Sequence, residues 1–269
     1  MKLSVSNIAL NAYQHAEELK SLANMGLSGL EVAPSRVWQD TWKGLSPKSV
    51  EKYRNEVEKA GLSIVGLHSL FYDKPELGLF RDAETRQLTL DFMVHLSKLC
   101  RDLGGKTLVY GGGRWRGNLS LNEATTYAID FFSDLIPRIE EHKTVFSFEP
   151  LGPSDTDFIN SVYDSISFVK RINHPTVRVQ LDAKALVSNG EMKFEVFQAA
   201  APFLVHVHAN EPDLGILGTS GQVDNHKMAN YLRNIKYKGY VSIEQKMISG
   251  ETPLKALRQS VKILKECYG

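Results

Sequence analysis

Short runs of apolar, mostly β-branched residues alternate with longer stretches whose apolar positions recur at helical spacing, from one end of the chain to the other. The strand-like runs are KLSVSN near residues 2–7, GLEVA at 29–33, SIVGLHS at 63–69, TLVYGG at 107–112, VFSFEP at 145–150, VRVQLD at 177–182, LVHVHA at 204–209 and VSIEQ at 241–245. Between the first two, Leu19, Leu22 and Met25 line one helical face until Gly26 stops it; between the third and fourth, Leu88, Phe92, Leu96 and Leu99 do the same before Gly104-Gly105. Ser46-Pro47 has the form of a helix start, with proline in the first turn. Helical patterns at 122–142, 158–173, 191–201, 225–236 and 253–267 complete the alternation. Strands each followed by a helix predict a parallel sheet, and eight is the number that closes one into a barrel. The expected architecture is therefore α/β, a (β/α)8 TIM barrel formed as a single domain over residues 1–269, with no Gly/Ser-rich linker or charge block to divide it.

A barrel of this kind gives meaning to four residues in the second half of the chain. Glu149, Asp182, His208 and Glu244 stand at the C-terminal ends of four consecutive strand-like runs, and a parallel barrel gathers those ends around one mouth. Taken singly, each is an ordinary polar strand end, or, for Asp182, the cap of the following helix. Taken together they are three carboxylates and an imidazole, a ligand set for one divalent cation. Oxygen-rich ligation with one imidazole favours Mn²⁺, with Mg²⁺, Co²⁺ or Zn²⁺ as alternatives. In HVH, His206 shares a strand face with His208; the later residue is nearer the strand end, which leaves His206 to the core or to the support of the site.

Composition narrows the function classes. Net charge is +1 with both signs interspersed, so a polyanionic partner such as nucleic acid is not expected. The two cysteines, Cys100 and Cys267, make neither a disulfide framework nor a zinc spacing. No run approaches the roughly 18 apolar residues of a membrane span, and MKLSVSNIALNAY passes directly into a strand-like run rather than a signal-peptide pattern. A soluble, cytoplasmic protein acting on a small molecule is the expectation.

The segments FEP with Glu149, LDA with Asp182, HVHANE with His208, and GQVDNHKMANYLRNIKYKGYVSIE ending at Glu244 carry a more specific likeness. Over essentially its full length the chain resembles the sugar isomerase/epimerase branch of the xylose-isomerase-like barrels. That group includes ketose 3-epimerases, hydroxypyruvate isomerases, inositol-catabolism enzymes and endonuclease IV nucleases. The resemblance implies one divalent metal held by Glu149, Asp182, His208 and Glu244, with Glu149 and Glu244 also the acid/base pair. It implies substrate contacts at His68 and Glu31, and self-association into a homo-oligomer of unstated size. The residue types suit that chemistry: a metal stabilises the enediolate of a 2-hydroxy-ketone as a Lewis acid, while one carboxylate removes a proton from carbon and another returns one.

Departures from the ketose 3-epimerase pattern concern substrate reading. Ala185 stands where those enzymes have histidine, Asp155 where they have a glutamate on substrate oxygens, and ANEPDLG follows His208 in place of a substrate-gripping arginine. Candidate substrate contacts are Asp155 itself and, in the long βα connections, Arg114 and Arg116 in GGGRWRG, Lys184, Lys246, and Glu211 in the loop that continues to GILGTSGQ. Arginine in particular suits a carboxylate or phosphate; the alternatives are a solvated loop and a lysine facing outward. Trp38, Trp42 and Tyr72 form either an apolar wall against a sugar or ordinary loop packing. A dehydratase or lyase on a keto or inositol substrate, an endonuclease IV-type nuclease and a non-catalytic sugar-binding barrel are the competing functions.

Overall fold

The computed structural model describes residues 1–269 and forms a closed barrel of eight parallel strands in chain order. The strands are β1 Lys2–Ser6, β2 Gly29–Val32, β3 Ser63–Leu67, β4 Thr107–Tyr110, β5 Val145–Phe148, β6 Val177–Asp182, β7 Leu204–Ala209 and β8 Tyr240–Ile243. β8 closes onto β1 through Lys2↔Tyr240 to Val5↔Ile243. Strands in such a sheet are covered on both faces, which is why most of their residues, polar ones included, are buried.

The outer ring comprises α1 Ala16–Asn24, α2 Pro47–Lys59, α3 Ala83–Asp102, α4 Leu121–Ile139, α5 Val162–Ile172, α6 Ala183–Ser188, α7 Phe194–Ala200, α8 Asn225–Asn234 and α9 Pro253–Tyr268. Their starts are chemically marked. Ser46 accepts from Ser49 N ahead of Pro47, and Ser120–Glu123 and Ser161–Asp164 are reciprocal capping boxes. The sequence periodicity anticipates all of these except α6, a helix of six residues that begins directly after β6 with Asp182 as its cap. None of the helices is long and apolar enough to cross a membrane.

Two irregularities aim the barrel's interior. Leu30 pairs with Ile64 and Glu31 with Gly66, so Val65 is an extra residue in β3. Val179 pairs with Leu204 and Gln180 with His206, so Val205 is an extra residue in β7. A bulge of this kind shifts every later side chain to the other face. Beyond Val205, His206 and His208 therefore lie beside Gln180 and Asp182, and both imidazoles are buried in the barrel.

At the β3–β4 contact, a Cβ on Gly66 would come 2.0 Å from the Thr107 carbonyl oxygen. The strands approach closely there only because Gly66 has no side chain. Gly66→Ala should lower the unfolding free energy by about 1–3 kcal/mol, read from urea denaturation; unchanged stability would contradict this contact.

Candidate metal and acid–base site

β5, β6, β7 and β8 deliver Glu149, Asp182, His208 and Glu244 to one point at the C-terminal mouth of the barrel. His208 Nδ1 lies 3.1 Å from Glu149 Oε1, 3.5 Å from Asp182 Oδ2 and 3.4 Å from Glu244 Oε2. One donor atom from each of the four falls within 4.8 Å of the others. Two ligands on opposite sides of a cation at about 2.2 Å are roughly 4.4 Å apart, so the set fits a single divalent ion. The donor chemistry, three carboxylates and one imidazole with little water access, also demands a positive partner.

His208 is held from behind. Its Nε2 hydrogen-bonds Glu31 Oε2 at 2.9 Å, the other Glu31 oxygen lies 2.9 Å from His206 Nε2, and Ser242 Oγ donates to Glu31 at 3.1 Å. A carboxylate on the far nitrogen sets the tautomer and leaves Nδ1 for the ligand cluster. Glu31 is thus fully buried beneath the site, a position from which it supports His208 and does not reach the cavity above.

The three carboxylates have their own supports. Gln180 Nε2 donates to Glu149 Oε1 at 2.9 Å, and Asn210 Nδ2 donates to Asp182 Oδ2 at 2.6 Å and Glu244 Oε2 at 2.8 Å. Asp182 has two duties: Oδ1 caps α6 by accepting from Ala185 N at 2.8 Å, while Oδ2 faces the cluster. Gly111 leaves room for Glu149, since a Cβ there would sit 2.2 Å from Glu149 Oε2.

Electrostatics separate the two glutamates. Burial pushes Glu149 up to about 7, with Asp182 and Glu244 adding to the rise against the pull of His208. For Glu244 burial also acts upward, but His208 and His68 outweigh it and hold the carboxyl well below its ordinary range. Burial likewise favours neutral His208, yet Glu31, Glu244, Asp182 and Glu149 together raise it well above the ordinary imidazole value.

Above this cluster lies a cavity of about 470 Å³ whose wall includes His68, Phe71, Arg81, Trp115, Glu149 and Glu244. His68 shares a 2.5 Å hydrogen bond with Ser6 Oγ through Nε2, and its Nδ1 lies 3.6 Å from Glu244 Oε1. Trp115 is 54% exposed at the rim, whereas Trp38 and Trp42 pack against the core, Trp42 tilted on Phe92 at 5.0 Å.

Other residues singled out in the sequence lie elsewhere. Arg114 is buried: its guanidinium donates to the carbonyls of Tyr110 at 3.1 Å and Glu149 at 2.8 Å, between the rings of Tyr110 and Phe148. Desolvation lowers it to about 10. It ties the ends of β4 and β5 together and presents nothing to the cavity. Arg116 is taken up by Asp157 and Leu119, and Lys184 by Asp155 at 3.1 Å. Glu211 is buried and pins the following loop, accepting from Gly218 N at 2.6 Å and from Ser220 Oγ. Gln180, Ser242 and Asn210 join the site without being among the residues that the sequence pattern singles out. The first two carry a signal, since each precedes one of the four converging residues by two positions on an inward strand face.

Comparison with known proteins supplies the family. The xylose isomerase-like TIM barrel family matches residues 19–267. The chain belongs to that family. A D-psicose 3-epimerase of Agrobacterium fabrum is 27% identical over 104 residues, 39% of this chain, and that match spans only 36% of the epimerase. The E. coli 3-keto-D-glucoside 4-epimerase superposes with a TM-score of 0.83 at 20% identity, covering 99% of this chain and 100% of that one. The IOLI protein, crystallised with a bound zinc atom, gives 0.79 at 17% identity over 100% and 98%. At those identities the structural likeness is one of fold.

Glu31→Gln should weaken Mn²⁺ binding about 10- to 100-fold in calorimetric titration while circular dichroism stays unchanged. An unaltered affinity would remove the support assigned to Glu31.

Proposed function

We propose that this chain is a divalent-metal-dependent isomerase or epimerase that moves protons at a carbon beside the carbonyl of a small sugar-like substrate. The observation that carries this reading is how the four converging residues divide. Glu149 and Glu244 line the cavity, whereas Asp182 and His208 do not. Asp182 and His208 would anchor the cation, and the two glutamates would complete its ligand set from the substrate side. When bound, the cation supplies Lewis-acid polarisation of a substrate carbonyl, with Mn²⁺ favoured by the donor set.

Glu149 and Glu244 then serve as acid and base. One takes the proton from carbon; return of a proton to the opposite face gives an epimer, and return to the neighbouring carbon gives the isomer. Gln180 and Asn210 fix where these carboxylate oxygens point. His68, oriented by Ser6, stands beside Glu244 within reach of a substrate hydroxyl. The likeness to a psicose 3-epimerase and a keto-glucoside 4-epimerase supports a keto sugar and an epimerisation as the outcome. The bound zinc atom of the IOLI structure supports a metal in a barrel of this fold and makes Zn²⁺ the competitor to test against Mn²⁺.

The test is solvent deuterium exchange into a panel of ketoses by metal-loaded protein, with metal content and products measured in parallel. Glu149→Gln and Glu244→Gln should each lose about 10²–10⁴ of the exchange rate. Near-normal exchange in either variant would contradict the acid/base assignment.

A further inference from the structure

We infer that the substrate carries an anionic group, a phosphate or a carboxylate, and that Arg36 and Lys246 hold it in a second lobe of the site; the inference rests on the reading of the site given above. The 470 Å³ cavity adjoins another of about 410 Å³, and Ser69, Tyr72 and Glu244 line both. Glu244 thus stands at the junction, with the ligand cluster and His68 on one side and Arg36, Leu214, Lys246 and Met247 on the other. A hexose displaces on the order of 200 Å³, six or seven water volumes, so the first lobe accommodates the reacting sugar and leaves the second for a distal substituent.

The charge in that second lobe is unbalanced. Glu244 is its one carboxylate, and His68, His208 and Asn210 already engage it. Arg36 Nη2 donates to the Leu10 carbonyl and contacts Met247 Sδ at 3.2 Å, while its Nε is buried and has no acceptor. Its Nη1 is neither buried nor hydrogen-bonded within the protein, which leaves it free to donate to an anionic oxygen in this lobe. Lys246 is placed by its backbone N–H, which donates to Leu214 O at 2.9 Å, and its exposed ammonium forms no ion pair. Arginine's planar fork beside a mobile ammonium is the pairing that suits carboxylate or phosphate. The other cations near the mouth are engaged or turned away: Lys184 by Asp155, Arg116 by Asp157, and Arg114 inside the core. Arg81 lines the first lobe and not the second, and donates to Pro75 O. Tyr72, 78% exposed, offers a ring face at the junction for the carbon chain between the two ends.

The experiment is calorimetric titration of metal-loaded protein with D-fructose, D-fructose 6-phosphate and D-fructuronate, using wild type, Arg36→Gln, Lys246→Gln and Arg81→Gln. Wild type should bind at least one anionic sugar about tenfold or more tighter than fructose, and whether it is the phosphate or the carboxylate names the group. That ratio should fall toward one in Arg36→Gln and in Lys246→Gln, the second being an exposed position that leaves folding unaffected, and should persist in Arg81→Gln. Equal binding of neutral and anionic sugars, or loss of discrimination in Arg81→Gln alone, would overturn the inference. Anion preference through Arg36 and Lys246 without deuterium exchange into any sugar would overturn the reaction and leave the subsite. Exchange into neutral ketoses with no anion preference would do the reverse.

Discussion

Four carboxylates are concentrated around one imidazole at the mouth of this barrel, and that crowding governs the rest of the site. Glu149, Asp182 and Glu244 converge on Nδ1 of His208, and Glu31 holds Nε2 from below. In a medium of low effective dielectric, like charges so close cannot all stand ionised without a cation among them. The neighbourhood answers with donors, Gln180 on Glu149, Asn210 on Asp182 and Glu244, and Ser242 on Glu31. Each donor removes rotational freedom from a carboxylate. The result is a set of oxygens aimed at a common point before any ligand arrives, which is what both metal binding and proton transfer require.

The barrel supplies this crowding through two layers of inward side chains. Ser147, Gln180, His206 and Ser242 form a buried polar layer, each two residues before Glu149, Asp182, His208 and Glu244 in the layer above. Alternation along a strand makes the lower layer face the same interior as the upper. The extra residue at Val205 brings the two histidines of β7 into step with β6, and without it Gln180 and Asp182 would lie beside the other face of that strand. Arg114 fastens the ends of β4 and β5 at the point where Glu149 leaves the strand. Long loops above the strand ends then shape two lobes around Glu244, so one carboxylate borders both the reacting end and the distal end of a bound molecule.

Much of this was legible in the sequence because strands give short runs rich in β-branched residues whereas helices repeat their apolar positions every three to four residues. The eight runs and the barrel could be read from that contrast, as could the convergence of Glu149, Asp182, His208 and Glu244. Helix α6 could not, since it follows β6 without a loop and its cap is itself one of the converging residues. Nor can a sequence say which way a loop arginine folds. Arg114 in GGGRWRG reads as an anion binder or a solvated loop residue, yet its guanidinium lies between two aromatic rings and donates to two carbonyls. Glu31 resembles a substrate contact until the bulges of β3 and β7 place it under His208. Arg36 carries no signal in the sequence, because its orientation is fixed by residues distant along the chain, Leu10 and Met247.

The most direct measurement is an anomalous-scattering map of crystals grown with Mn²⁺. A single strong peak is expected at the mouth, about 2.0–2.3 Å from one atom each of Glu149, Asp182, His208 and Glu244, with Glu31 still on the far nitrogen of His208. A peak at any other group of residues, or none at saturating metal, would contradict the account of the site.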